Sequence, residues 1–296
     1  LNIERYINHY YNKHQINKQR FVHYLSNDQK NSKEDLLMKF NHQNELVRKT
    51  VAVLESFESG NPEAITAYVH PDQYIQHNQA LLDGPETMLG ALDHLKEIGT
   101  KVSIKRALVD GNYVALHSVY HFHGPKIVFD IFRFENGLII EHWDNLQEMV
   151  EKTPSNHTMI DGPVTIKDID KTEANKAFVK SYVENILLGK NPDLLASYFD
   201  GDTYIQHSPH IADGLSGLHA ALQALKEKKV EFQYTHVHQV IGQGDFVLTV
   251  SEGQFDGQHT AFYDLFRVQD GKIAEHWDVI EAILPEEKRK NTNSRF

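Results

Sequence analysis

The chain has 296 residues, 40% hydrophobic and 24% charged, the composition of a globular protein of about two domains. Its 41 acidic and 30 basic residues leave a formal net charge of -11, and no Lys/Arg block is long enough to follow a phosphate backbone, so nucleic acid is not an expected partner. There is no cysteine, which excludes disulfides and thiolate metal sites and fits a reducing, cytoplasmic location, and no apolar run reaches the roughly 18 residues of a membrane span.

Ile3, Tyr6, Ile7 and Tyr10 recur at helical spacing, and Phe21, Val22 and Leu25 form a second apolar face, so residues 1–40 read as an N-terminal helical arm. From residue 41 the chain becomes a repeat. The first domain is expected over 41–153, a linker over 154–171, where Pro154 and Asp161-Gly162-Pro163 interrupt any periodic pattern, and the second domain over 172–296. The polar tail beyond Leu284 is expected to fray.

Each repeat opens on an amphipathic helix, through Leu46, Val47, Val51, Leu54 and Phe57 or through Phe178, Tyr182, Val183, Ile186 and Leu187. Gly60-Asn61-Pro62 and Gly189-Lys190-Asn191-Pro192 then stop that helix and start a short one. Tyr74-Ile75-Gln76-His77-Asn78 follows, and it returns 130 residues later as Tyr204-Ile205-Gln206-His207-Ser208. A third helix leads into four strands, separated in the first repeat by Asp110-Gly111-Asn112, Gly124-Pro125 and Asn136-Gly137, each a turn signal. The third long strand carries Phe129-Asp130-Ile131-Phe132-Arg133, matched by Tyr263-Asp264-Leu265-Phe266-Arg267. The fourth ends on Glu141-His142-Trp143-Asp144, spelled again without change at Glu275-His276-Trp277-Asp278.

Helices followed by a long antiparallel meander make an α+β unit, with helices over one face of a curved sheet. Strand side chains alternate, so His142 and Asp144 share one face and Glu141 and Trp143 the other. Asp130 on the neighbouring strand falls beside His142 and Asp144, and Arg133 falls where it can pair with Glu141. His77 and His207 are read two ways, as pocket residues turned inward by a bulge or as side chains bound to a backbone carbonyl. The pairs His121-x-His123 and His236-x-His238, with His77, His142, Asp130 and Asp144, also invite a metal reading.

This order of motifs resembles the SnoaL-like branch of the NTF2-like superfamily, whose best-known members are polyketide cyclases. The resemblance implies tandem cone-shaped domains, each a bent antiparallel sheet wrapping about three helices around an apolar pocket. It further implies that Asp144 and Asp278 are the general acid/bases, with His142 and His276 beside them, and that Asn78 and Ser208 line the pockets. The chain departs from the cyclases on the Phe-Asp-Ile-Phe-Arg strand, where Val128 and Asp130, or Phe262 and Asp264, replace a histidine and a glutamine. That departure points away from a polyketide substrate.

The expected catalytic groups are therefore Asp144, His142 and Asp130 in the first domain and Asp278, His276 and Asp264 in the second. Tyr74, Gln76, His77, Asn78 and Phe132, with Tyr204, Gln206, His207, Ser208 and Phe266, are the expected ligand-binding residues. The expected activity is that of a cofactor-independent lyase or isomerase of the aldol-condensing or cyclase type, acting on a small apolar carbonyl compound. The alternatives are a tandem ligand-binding or interaction module without chemistry and a His/Asp metal-binding protein. The expected partners are a small molecule and, through the sheets, either the other repeat as a pseudo-dimer within the chain or a second copy.

Overall fold

Each repeat folds as its hydrophobic periods dictate, three helical segments followed by a four-stranded meander. The computed structural model describes residues 45–296, so the expected N-terminal helical arm lies outside the described residues. In the first unit α1 (Glu45–Ser59), α2 (Glu63–Tyr68), β1 (Ile75–Gln76) and α3 (Glu86–Glu97) precede β2 (Lys101–Asp110), β3 (Tyr113–His121), β4 (Pro125–Glu135) and β5 (Leu138–Glu148). In the second, α4 (Thr172–Tyr182) runs into a π turn, Val183–Leu187, and the short helix is a 3-10 segment, Pro192–Tyr198. β6 (Ile205–Gln206), α5 (Gly214–Glu227), β7 (Phe232–Gln243), β8 (Phe246–Phe255), β9 (Gln258–Gln269) and β10 (Lys272–Ala282) follow.

The two sheets have the same order, β1-β5-β4-β3-β2 and β6-β10-β9-β8-β7. Both helix stops depend on glycine: Gly60 and Gly189 each adopt φ +73°, a left-handed conformation that L side chains rarely take. The short strands β1 and β6 pair in parallel with the last strands, Ile75 and Gln76 aligned with Glu141 and His142, and Ile205 and Gln206 with Glu275 and His276. This pairing ties the Tyr-Ile-Gln-His stretch of each unit to its Glu-His-Trp-Asp stretch.

Helices cover the inner face of each sheet, and the outer faces pack on each other. Leu108, Phe129, Ile131 and Trp143 of the first sheet share one apolar core with Phe246, Leu248, Tyr263, Leu265 and Trp277 of the second. Polar groups register this interface: Asn145 Nδ2 donates to the carbonyls of Val279, at 2.8 Å, and Ala261, at 3.2 Å, and Gln147 Oε1 accepts from the Ile280 N–H at 2.9 Å. The two repeats thus meet sheet to sheet within one compact unit, 42–296.

The linker packs against both units, and the tail departs from expectation. Met159 and Ile160 are buried in the inter-sheet core, and Arg106, stacked on Trp277, donates to the carbonyls of Ile160, Asp161 and Pro163. The linker is therefore a packed strap. The tail beyond Leu284 does not fray. It crosses onto the first unit, where the Lys290 N–H bonds the Gln79 carbonyl and Asn291 donates to the carbonyls of Asn78 and Leu81. Its polar residues read as a solvated end, yet they satisfy backbone groups of the opposite repeat.

Candidate functional site: paired aspartates braced by histidine

Strand register builds the site. Asp130 on β4 lies directly opposite Asp144 on β5, and Phe132 opposite His142. Asp264 on β9 lies opposite Asp278 on β10, and Phe266 opposite His276. All four aspartates and both histidines are buried. Inner-face alternation thus brings the expected carboxylates and imidazoles together in each unit.

The histidines are held from both sides. His276 Nδ1 lies 3.0 Å from Gln206 Oε1 and its Nε2 lies 3.0 Å from Asp264 Oδ1. Gln206 Oε1 also accepts from the N–H groups of His207 and Ser208, and its Nε2 donates to Tyr204 Oη, which fixes the amide orientation. His276 Nδ1 must then be the donor, leaving a single proton on the link between Nε2 and Asp264. The first unit repeats this geometry: His142 Nδ1 is 3.2 Å from Gln76 Oε1, its Nε2 is 3.1 Å from Asp130 Oδ1, and Gln76 Oε1 accepts from the Asn78 N–H.

Two tyrosines that sequence reasoning missed complete the carboxylate shell. Tyr120 Oη donates to Asp130 Oδ2 at 2.8 Å, and Tyr234 Oη lies 3.1 Å from Asp264 Oδ2. They come from non-equivalent strands, β3 and β7, so the repeat alone could not reveal them. Burial pushes the Asp130 carboxyl up, with His142 opposing and Asp144 adding to the rise. Burial also pushes Asp278 up, against His276 and with help from the Asp264 charge. Burial first, and the nearby aspartates second, hold the Tyr120 and Tyr234 hydroxyls protonated.

The second aspartate of each pair is treated differently in the two units. Asn78 Nδ2 donates to Asp144 Oδ2 at 2.8 Å, and Arg295 of the tail donates to Oδ1 at 3.0 Å. Ser208 opposes the rise of the Asp278 carboxyl, while Asp278 Oδ1 has no hydrogen-bond partner among the described residues. Arg295 was not anticipated, because the polar tail gave no sign of returning to the first sheet.

Phe132 stacks on His142 at 4.4 Å and Phe266 on His276 at 4.8 Å, so each aromatic ring covers one face of an imidazole. His77 and His207 lie on the opposite face of the sheet, away from the paired aspartates. Gln76 shares the face of His142, so alternation without a bulge turns His77 outward. There His77 Nε2 meets Glu141 at 2.7 Å, its Nδ1 meets the Ser294 carbonyl at 2.5 Å, and its ring stacks on Trp143. His207 meets Glu275 and the Thr158 carbonyl, each at 2.8 Å, and stacks on Trp277. Arg133 and Arg267 pair with Glu141 and Glu275 on this outer face.

Among the described residues, two groups of side chains bring metal-ligand atoms within 4.8 Å of one another, Asp130/His142/Asp144 and His157/Asp161/His207. In both groups candidate ligand atoms are already engaged by protein partners. Asp144 already binds Asn78 and the Arg295 guanidinium, and both His207 nitrogens are engaged. Of the His-x-His pairs, His236 and His238 lie ring to ring at 4.4 Å, and His238 and His259 both bond Glu252.

A search of curated proteins returned no significant match. Among solved structures the chain is similar to a candidate polyketide cyclase from Bacillus cereus, at 20% identity over 35% of this chain and 74% of that one, TM-score 0.32. It is also similar to a candidate ketosteroid isomerase from Kribbella flavida, at 15% identity over 42% of this chain and 93% of that one, TM-score 0.32. A third is a protein of unknown function with a cystatin-like fold from Xanthomonas campestris, at 24% identity over 36% and 89%, TM-score 0.31. The SnoaL-like domain family matches twice, over residues 50–142 and 179–276, so the chain belongs to that family and carries its domain in tandem.

Proposed function

We propose that the chain is an acid/base enzyme acting without cofactor on a small, mostly apolar carbonyl compound, as an isomerase, cyclase or aldol-type lyase. The observation that carries this reading is the buried cross-strand pair Asp264/Asp278 with His276 fixed between Gln206 and Asp264. Its counterpart in the first unit is Asp130/Asp144 with His142.

In the second unit Asp278, in its ionised form, takes a proton from the carbon next to the carbonyl. The C–H bond breaks, its electron pair becomes the enolate, and the proton resides on Asp278. The proton on the link between His276 and Asp264 stabilises the developing oxyanion. Return of the Asp278 proton to a different carbon completes an isomerisation. Attack of the enolate carbon on a second carbonyl, with the proton delivered to the new alkoxide, completes an aldol closure. A carboxyl raised by burial is the stronger base once ionised, which suits proton abstraction from carbon near neutral pH.

A second reading, a tandem binding module without chemistry, is favoured by the stacking of Phe132 and Phe266 on the two histidines. Exchange of α-hydrogens in D2O, followed by NMR over a panel of cyclic and β,γ-unsaturated ketones, separates the two. The enzyme reading predicts exchange well above the buffer rate for at least one ketone. Buffer-rate exchange across the panel, with ketones nevertheless bound, would favour the binding module.

A further inference from the structure

The register of the two sheets is the same, but the residues on it are not. In the first unit the inner-face row across β3, β4 and β5 reads Leu116, Asp130, Asp144. In the second, the row across β8, β9 and β10 reads Thr249, Asp264, Asp278. Thr249 is 0% exposed and Asp278 5% exposed. Thr249 Oγ1 and Asp278 Oδ1 both lack a hydrogen-bond partner among the described residues. Burying such groups unpaired costs free energy that a ligand with matching atoms would recover. They flank Asp264, so a ligand oxygen bound there would lie beside the proton shared with His276.

The first unit offers neither group. Leu116 has no hydrogen-bonding atom, and both Asp144 oxygens are occupied, one by Asn78 and one by Arg295. Arg295 also bonds Asn145, Glu281 and the His77 carbonyl, so its guanidinium is held in place. The tail and the linker are equivalent straps. The Ser294 carbonyl meets His77 Nδ1 as the Thr158 carbonyl meets His207 Nδ1. One residue further on, the tail carries Arg295 and the linker carries Met159, buried in the apolar core. The strap that crosses to the first unit brings a cation to its aspartate, and the strap that crosses to the second brings none.

We infer that the two copies have diverged: the second unit takes the ligand, with Thr249 as a specificity residue that donates to its carbonyl or enol oxygen, while Arg295 closes the first. This rests on the acid/base reading for the class of ligand. An enol analogue is then the appropriate probe, because a phenolic oxygen on a planar ring mimics an enolate.

The test is fluorescence titration of the full chain with 2-naphthol, using naphthalene as the analogue without the oxygen. One equivalent of 2-naphthol per chain is expected. Thr249→Val should weaken 2-naphthol by roughly tenfold and leave naphthalene unchanged, and Thr249→Ser should restore the affinity. A merely structural role for Thr249 would move both ligands together. Two equivalents in the wild type, or a 2-naphthol affinity indifferent to Thr249→Val, would overturn the inference. Binding as described without ketone exchange would sink the enzymatic reading alone, and ketone exchange unaffected by Thr249→Val would sink this one alone.

Discussion

Arg295→Met is the most exacting perturbation of the fold described here. Arg295 and Asp144 are 6% and 8% exposed, and the pair joins a tail that follows the last strand of one unit to the inner face of the other. Methionine keeps much of the stem but strands a buried carboxylate, and breaking a buried pair in this way costs about 3–5 kcal/mol. The second ion pair, to Glu281, contributes less, because that side chain is 33% exposed and exposed pairs are worth about 0–1 kcal/mol. A net loss of about 3 kcal/mol is expected, which for a protein of this size lowers Tm by roughly 6–12 °C. Urea unfolding of wild type, Arg295→Met, Asp144→Asn and the double variant gives the coupling directly. A loss below about 0.5 kcal/mol for Arg295→Met, the range of an ordinary surface change, would refute the buried clamp.

Two further perturbations probe the straps. Burial alone would lower His207, but its bonds to Asp161 and Glu275 outweigh that and raise it above the ordinary histidine value. A raised histidine contributes stability that is full below its unfolded value of about 6.5 and is lost as pH rises through the folded value. Stability of the wild type should therefore fall across that upper window by more than in His207→Gln, and identical pH profiles in urea unfolding would contradict the assignment. Gly162 in the linker sits at φ +93°, and a methyl group there would come within 2.5 Å of Glu275 Oε1 and 2.8 Å of Trp277 Cζ2. Gly162→Ala should cost about 1–3 kcal/mol by backbone strain alone, and a neutral thermal unfolding profile would show that the strap is not held as described.

Much of the fold and part of the site were legible in the sequence, because both rest on short periods. The two-residue alternation of Glu-His-Trp-Asp put His142 and Asp144 inward and Trp143 outward, and the N-G and D-G turns set the register that faces Asp130 with Asp144. The same alternation turns His77 and His207 outward, where a bulge had been allowed for. What could not be read depends on contacts between distant segments. Tyr120 and Tyr234 reach equivalent aspartates from non-equivalent strands, so no internal repeat marks them. The linker and tail look like solvated polar stretches because their hydrogen bonds go to distant segments, the linker's to both repeats and the tail's to the opposite one, which composition does not encode. The exchange of Leu116 for Thr249 is one substitution among many in two diverged copies, and it gains meaning only beside Asp264.

The central claim is that Asp278 moves a proton to and from carbon. The direct measurement is the rate of α-hydrogen exchange in D2O for a ketone that the wild type turns over, compared with Asp278→Asn, with folding of the variant checked by its thermal unfolding. Loss of a positioned general base predicts a fall of about 10²–10⁴-fold in kcat/KM. An Asp278→Asn variant that exchanges the ketone at the wild-type rate would contradict the account.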